Sequence, residues 1–147
     1  MEFNQLIDDF AARHKVDDLI AVDGAAALDI DGIIVTIVDR DDVLNLSAEI
    51  GDPPAEGAAA FANLLLEANM QSGMFFAKAP DPGQYIAVRR LQLCLVDNDA
   101  FDSALESFVN QVETWRRLLA DFRVAAKAAE SEEAESATLG SAGFMQV

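Results

Sequence analysis

The chain has 147 residues, enough for one domain with a hydrophobic core and short for two, and 52% of them are apolar, so the body is expected to fold. Its 26 acidic and 10 basic residues leave a formal net charge of −16. A field of that sign repels phosphate backbones and anionic headgroups, which makes nucleic acid and membrane surfaces poor expected partners and favours a basic or apolar partner, or simply solubility.

Phe3, Leu6, Ile7, Phe10 and Ala11 recur at helical spacing and predict an amphipathic helix over residues 3–14 with acids on its outer side. This same stretch carries acids where a signal peptide has Lys or Arg, and it lacks a long apolar run, so the expected location is the cytoplasm. The only histidine, His14, ends the helix between Arg13 and Lys15 and reads as a complement to the helix C-terminus. In "AALDID", Leu28 and Ile30 alternate with Asp29 and Asp31, which predicts a strand, and Asp31-Gly32 predicts a tight hairpin turn. "IIVTIV" (33–38) is β-branched and nearly continuous, as a central strand would be. "DRDD" (39–42) makes the next turn, and "VLNLSAEI" (43–50) places Leu44, Leu46, Ala48 and Ile50 on one face of a third strand.

Pro53-Pro54 ends this meander, and a helix is predicted from about Ala55 to Gln71, terminated near Gly73. The surrounding apolar run, 57–76, is not a membrane span, because Asn63, Glu67, Asn69, Gln71, Ser72 and Gly73 interrupt it. Phe61, Leu64, Leu65, Leu66 and Met70 nevertheless point all round the helix, and a subunit of this size has little protein left to cover every side. Each large apolar side chain left in water forgoes about 1.5–3 kcal/mol of burial. A second copy packed across a two-fold axis is the expected cover; the competing possibility is that the last helix covers this one within a single subunit.

"MFFAKA" and "QYIAVRRLQL" predict two further strands joined by "PDPG" (80–83). In the second, Ile86 and Val88 share one face while Leu91 and Leu93 fall on the other, so a bulge near Arg89-Arg90 is expected. Cys94, in the apolar run "LQLCLV", is expected to be buried as a small hydrophobe, and as a lone cysteine it allows no internal disulfide. From about Asp99 to Ala128 the longest helix carries Phe101, Leu105, Phe108, Val112, Trp115, Leu119 and Phe122 as one stripe, capped by Asp97, Asn98 or Asp99. Residues 1–128 are thus expected to form the domain, and 129–147 an acidic, flexible tail whose apolar end, Phe144, Met145 and Val147, is a candidate to dock on a groove of its own or a neighbouring molecule.

Motifs for chemistry are missing. One histidine and one cysteine do not make a zinc site, no G-x-S-x-G elbow accompanies His14, and neither phosphate-cradling glycine pattern occurs. "DIDG" (29–32) resembles a fragment of a calcium loop, but Ile33 stands where a third oxygen ligand is wanted and the later glutamate is missing. No enzyme activity, metal or cofactor is therefore expected. The element order predicts an α+β fold, an antiparallel sheet of about five strands with three helices (α-β-β-β-α-β-β-α), and the middle helix that is apolar all round predicts a homodimer.

The phrases "FANLLLEANMQSG" and "ALESFVNQVETWRRLL", with the element order, small size and acidity, resemble the class I type III secretion chaperones, the Tir-chaperone-like family. The likeness spans about Phe3 to Ala128, with Gln92 standing where many relatives carry a proline. It implies a non-catalytic cytoplasmic homodimer that binds the extended N-terminal segment of a secreted effector and keeps it export-competent without ATP. The segment would be held by apolar grooves and strand-like pairing at a sheet edge. By that analogy Phe3, Leu6, Ile7 and Phe10 line a groove between the first helix and the sheet, although ordinary core is an equal reading of each. Ile34, Thr36, Val38, Val43 and Asn45 offer strand pairing or pockets; Phe61, Leu64, Leu65, Met70, Met74 and Phe75 form the dimer contact. The alternatives are a regulatory protein of the same fold that sequesters a secretion regulator, or an acid-dependent enzyme.

Overall fold

Two pairs of left-handed residues bend the first three strands into a meander. Asp31 and Gly32 (φ 52° and 84°) join β1 (Ala25–Ile30) to β2 (Ile33–Arg40), and Asp41 and Asp42 (φ 52° and 62°) join β2 to β3 (Val43–Gly51). Positive φ at both central residues is what a two-residue hairpin matched to the strand twist requires. The Asp29 carboxylate fastens the first turn by accepting the Gly32 N–H at 2.9 Å. At the second turn the aspartates occupy both central positions, so β2 runs two residues beyond the predicted Val38 and Arg40 pairs with Val43.

The computed structural model describes the backbone of every residue except Met1, Ser72, Asp81, Pro82, Gln146 and Val147, and the side chains through 129 together with Ser131. The elements α1 (Phe3–His14), α2 (Ala58–Gln71), β4 (Met74–Lys78), β5 (Tyr85–Gln92) and α3 (Asn98–Met145) complete the predicted order, and the five strands form one antiparallel sheet in the order β1-β2-β3-β5-β4. Asp81 and Pro82 of the predicted turn lie outside the described residues, but the Ala79 N–H donates to the Gln84 carbonyl at 2.8 Å and ties its ends.

One face of the sheet carries the core. Leu28, Ile33, Val35, Ile37, Leu44, Leu46, Ala48, Ile50, Tyr85, Ala87, Met74 and Phe76 are all buried on it. The α1 stripe (Phe3, Leu6, Ile7, Phe10) and the α3 stripe (Phe101, Leu105, Phe108, Val112, Leu119) pack into the same core. Phe61 of α2 reaches it at the other end, its ring centroid 5.4 Å from Tyr85, 6.2 Å from Trp115 and 5.5 Å from Phe122. The α3 N-terminus is capped by Asp97, whose carboxylate accepts the Ala100 N–H at 2.7 Å.

Three sequence expectations change. The pairing of β5 with β3 is regular through Arg89 and Arg90, and the irregularity lies instead on β3, between Glu49 and Gly51. Ile86 and Val88 simply face away from the core, while Tyr85, Ala87 and Leu91 face toward it. Arg116 of α3 meets the bulge, donating from Nε (2.9 Å) and Nη2 (2.7 Å) to the Glu49 carbonyl, and Arg123 donates to the Asp52 carbonyl just beyond. Cys94 is exposed, not buried: the strand gives way to a 3-10 turn at Leu93–Leu95 that turns Leu93 inward and Cys94 and Leu95 outward. Finally, α3 does not stop near Ala128 but continues as helical backbone to Met145. The proposed docking side chains Phe144, Met145 and Val147 lie outside the described residues. No helix among the described residues is long and apolar enough to cross a membrane.

Candidate functional site

Because all three helices serve one face of the sheet, the opposite face is left open. From Ala27 and Asp29 on β1, through Ile34, Thr36 and Val38 on β2 and Val43, Asn45, Ser47 and Glu49 on β3, to Ile86 and Val88 on β5, none of its side chains is buried. Ile34 is 59% exposed although β-branched and apolar. The register lines up Val88, Ser47, Thr36 and Ala27 across the sheet, so small uncharged side chains make a continuous row. The five sheet residues expected to meet a partner, Ile34, Thr36, Val38, Val43 and Asn45, all stand on this face; Val38 and Asn45 are cross-strand neighbours. Ile86 and Val88 extend the same surface; the sequence shows that they share a face without saying which way it points.

A second surface is the outer side of α2 with β4. Phe61 and Leu65 point into the subunit, whereas Leu64, Leu66 and Met70 point away, Met70 being 91% exposed. Phe75 of β4, the cross-strand neighbour of Val88, is 49% exposed on the open sheet face at this edge, with the Arg90 guanidinium 5.7 Å from its ring centroid. Of the six residues expected at a dimer contact, the structure places Leu64, Met70 and Phe75 on the surface and Phe61, Leu65 and Met74 in the core. The core trio are placed there because the Phe61 side of α2 is the side that meets the sheet and α3. Leu66 belongs with the exposed group and is absent from the sequence list, although its place on the helical wheel beside Met70 marks it.

The remaining four predicted residues are also internal. Phe3, Leu6, Ile7 and Phe10 are buried between α1, the sheet and α3, which fill the groove expected beside the first helix. At the C-terminal end of α1 this packing opens into a cleft of about 540 Å3 between Phe10 and His14 of α1, the β1–β2 hairpin and the first turns of α3. Arg13 and His14 bridge to Asp102 of α3 at its mouth, at 2.6 Å and 3.0 Å, and the His14 ring lies on that of Phe10 with centroids 4.3 Å apart. Burial pushes the Asp102 carboxyl up, but the hydrogen bonds from Arg13 and His14 outweigh it and hold the group below its ordinary value of 3.8. His14 is thus a tie between helices as well as the last residue of α1. No three His, Cys, Asp or Glu side chains gather as a metal site among the described residues.

The sheet has two edges with different surroundings. β4 lies beside α2 and its exposed apolar residues; β1 lies beside the cleft. In the β1–β2 hairpin the two-residue turn makes Ile30 and Ile33 a hydrogen-bonded pair, so the alternating pattern directs the N–H and C=O of Ala27 and Asp29 toward the free edge. Ala25 is already engaged, exchanging hydrogen bonds with Val22 at 3.0 and 2.9 Å.

Comparison with known proteins adds an independent line. The model of the Tir chaperone protein (CesT) family matches residues 5–116, well over half the chain. No curated protein matches. Among solved structures, the ExsC-ExsE complex contains a chain similar at a TM-score of 0.69 and 20% identity, covering 79% of this chain and 92% of that one. The HopA1-SchA chaperone-effector complex gives 0.66 and 16%, covering 77% and 91%. The Yersinia pestis type III secretion chaperone SycH, solved with a fragment of YscM2, gives 0.64 and 17%, covering 78% and 99%. At these identities the likeness establishes the α+β fold.

Proposed function

The chain belongs to the Tir chaperone protein (CesT) family, and from that premise we propose that it is a non-catalytic, homodimeric chaperone that holds the extended N-terminal segment of a type III secretion effector in the bacterial cytoplasm. The observation that carries the reading is the uncovered apolar surface of the folded subunit. One whole sheet face and one side of α2 expose Ile34, Leu64, Leu66, Met70 and Phe75.

Two kinds of cover divide this surface. The outer side of α2, with Leu64, Leu66 and Met70, is a compact helical patch that suits a second copy across a two-fold axis. The free edge of β1 suits an extended chain, whose main-chain groups pair with Ala27 and Asp29, and the open sheet face suits apolar side chains from the rest of the segment. A segment that is disordered when free gains its order in this contact and is kept from collapsing on itself. The solved relatives fit such a role: HopA1-SchA is a chaperone-effector complex, and SycH was captured with a fragment of YscM2.

Co-expression with N-terminal segments of proteins encoded beside this one tests the reading. A stable complex with one such segment, containing two copies of the chaperone, is the expected result. A protein that stays monomeric at micromolar concentration and retains none of the segments overturns it.

A further inference from the structure

We propose that the cleft between α1, the β1–β2 hairpin and α3 receives a cationic side chain, arginine or lysine, of the bound segment. The inference rests on the reading of the protein as a holder of extended chains, and adds a requirement on what that chain contains.

The floor of the cleft is apolar, formed by Phe10, Leu28, Leu105 and Val109 from three different elements. Its rim is acidic. Asp29, Asp31, Asp102 and Glu106 all line it, and their situations differ. Asp102 is engaged by Arg13 and His14, so the positive charge at this rim is already matched. Asp29 accepts the Gly32 N–H. Asp31 and Glu106 make no ion pair among the described residues.

A side chain with a long aliphatic stem and a terminal charge fits both parts: the methylenes lie on the apolar floor while the head meets Asp31 and Glu106 at the rim. A purely apolar side chain uses the floor and leaves the carboxylates unanswered, and an acidic one meets like charge. The position favours the same occupant. The cleft is lined by residues 28–31 of β1 and its turn, and a segment paired with the free edge of β1 turns alternate side chains to the helix-covered side of the sheet, where the cleft opens.

Nitrogen-15 NMR titration of the full chain with n-butylguanidinium chloride, using pentanoate and pentanol as probes of matched length, tests the cleft without a client. Expected are saturable shifts of the Leu28, Asp31, Leu105 and Glu106 amides with butylguanidinium, and binding of the other two weaker by about fivefold or more. The double variant D31N/E106Q should weaken butylguanidinium by about tenfold. Asparagine is at home at a left-handed turn position, and Glu106 is an exposed helical residue, so the fold is retained. Equal affinity for the three probes, shifts centred elsewhere, or a variant that binds as the wild type does overturns the proposal. Co-expression separates it from the premise. If the wild type and D31N/E106Q hold an effector segment equally well, the cleft is not the receptor while the chaperone reading stands. If the wild type holds none, the premise itself fails whatever the titration shows.

Discussion

Leu66→Asp separates an interface on the outer side of α2 from a merely exposed helix. In the subunit this side chain is 62% exposed, so the aspartate should change the isolated fold by no more than about 0.5 kcal/mol. Full enclosure of a leucine is worth about 1.5–3 kcal/mol; the exposed share of Leu66 scales this to about 1–2 kcal/mol, and a two-fold axis counts it twice, about 2–4 kcal/mol per dimer. The variant also places an unpaired carboxylate in each half of the contact, which adds a desolvation cost. A total of at least about 4 kcal/mol is roughly a thousandfold in the dimer Kd. Sedimentation velocity over a dilution series reads the association, and circular dichroism with urea unfolding reads the fold. Leu66→Asp should be a folded monomer at concentrations where the wild type is a dimer. Leu65→Asp, one residue away but buried, should instead lose the fold, because its carboxylate enters the subunit core. A folded Leu66→Asp protein that dimerises with the wild-type Kd refutes the assignment of this surface.

Asp102 links stability to acid. Its carboxyl is held below 3.8 in the fold, so it contributes stability that is present above the unfolded value and lost as pH falls through the folded one. The gap in urea midpoint between the wild type and Asp102→Asn should be open at about pH 5 and narrow progressively as the pH drops below the ordinary carboxylate range; a gap indifferent to acid refutes the linkage. Gly32→Ala should cost about 1 kcal/mol in urea unfolding, because a Cβ there meets no atom within 4 Å and only the φ of 84° opposes it. Gly32→Asn should recover part of the loss, and equal losses in the two variants would show that the turn is not the cause. Arg116→Met leaves the Glu49 carbonyl at the β3 bulge without its two donors. The expected loss of about 1 kcal/mol should appear as roughly fivefold faster hydrogen exchange around Gly51, and unchanged exchange there would assign the bulge to the sheet alone.

The meander is legible in the sequence because its signals are local. Asp31-Gly32 asks for a hairpin whatever surrounds it, and Leu44, Leu46, Ala48 and Ile50 declare a single inner face. The α1 and α3 stripes are legible for the same reason, one apolar side opposed by a polar one. Legibility fails where both sides of an element are apolar. In β5, Ile86 and Val88 compete with Tyr85, Ala87 and Leu91, and alternation supplies two faces without saying which meets the helices. The register decides it, setting Leu91 opposite Leu44 on the covered side. On α2 the neighbours Leu65 and Leu66 lie about 100° apart on the helix; one closes the core and the other faces outward, a distinction made only by where the sheet and α3 lie.

The cleft is harder still, since Phe10, Leu28, Leu105 and Val109 each read as core from their own element. They come to line an opening because α1 stops at His14, Lys15 turning the chain away with a φ of 54°, before it has covered the end of the hairpin. A surface for an extended guest is in this sense what core packing leaves uncovered, and its residues carry the same apolar signature as the core. The rim is where the two part. Acids at 29, 31 and 106 are unremarkable along the chain and acquire a meaning only when the hairpin and α3 set them around one apolar floor. Charge at the edge of the floor, more than apolarity within it, therefore distinguishes a receptor for a guest side chain from an unfilled corner of the core.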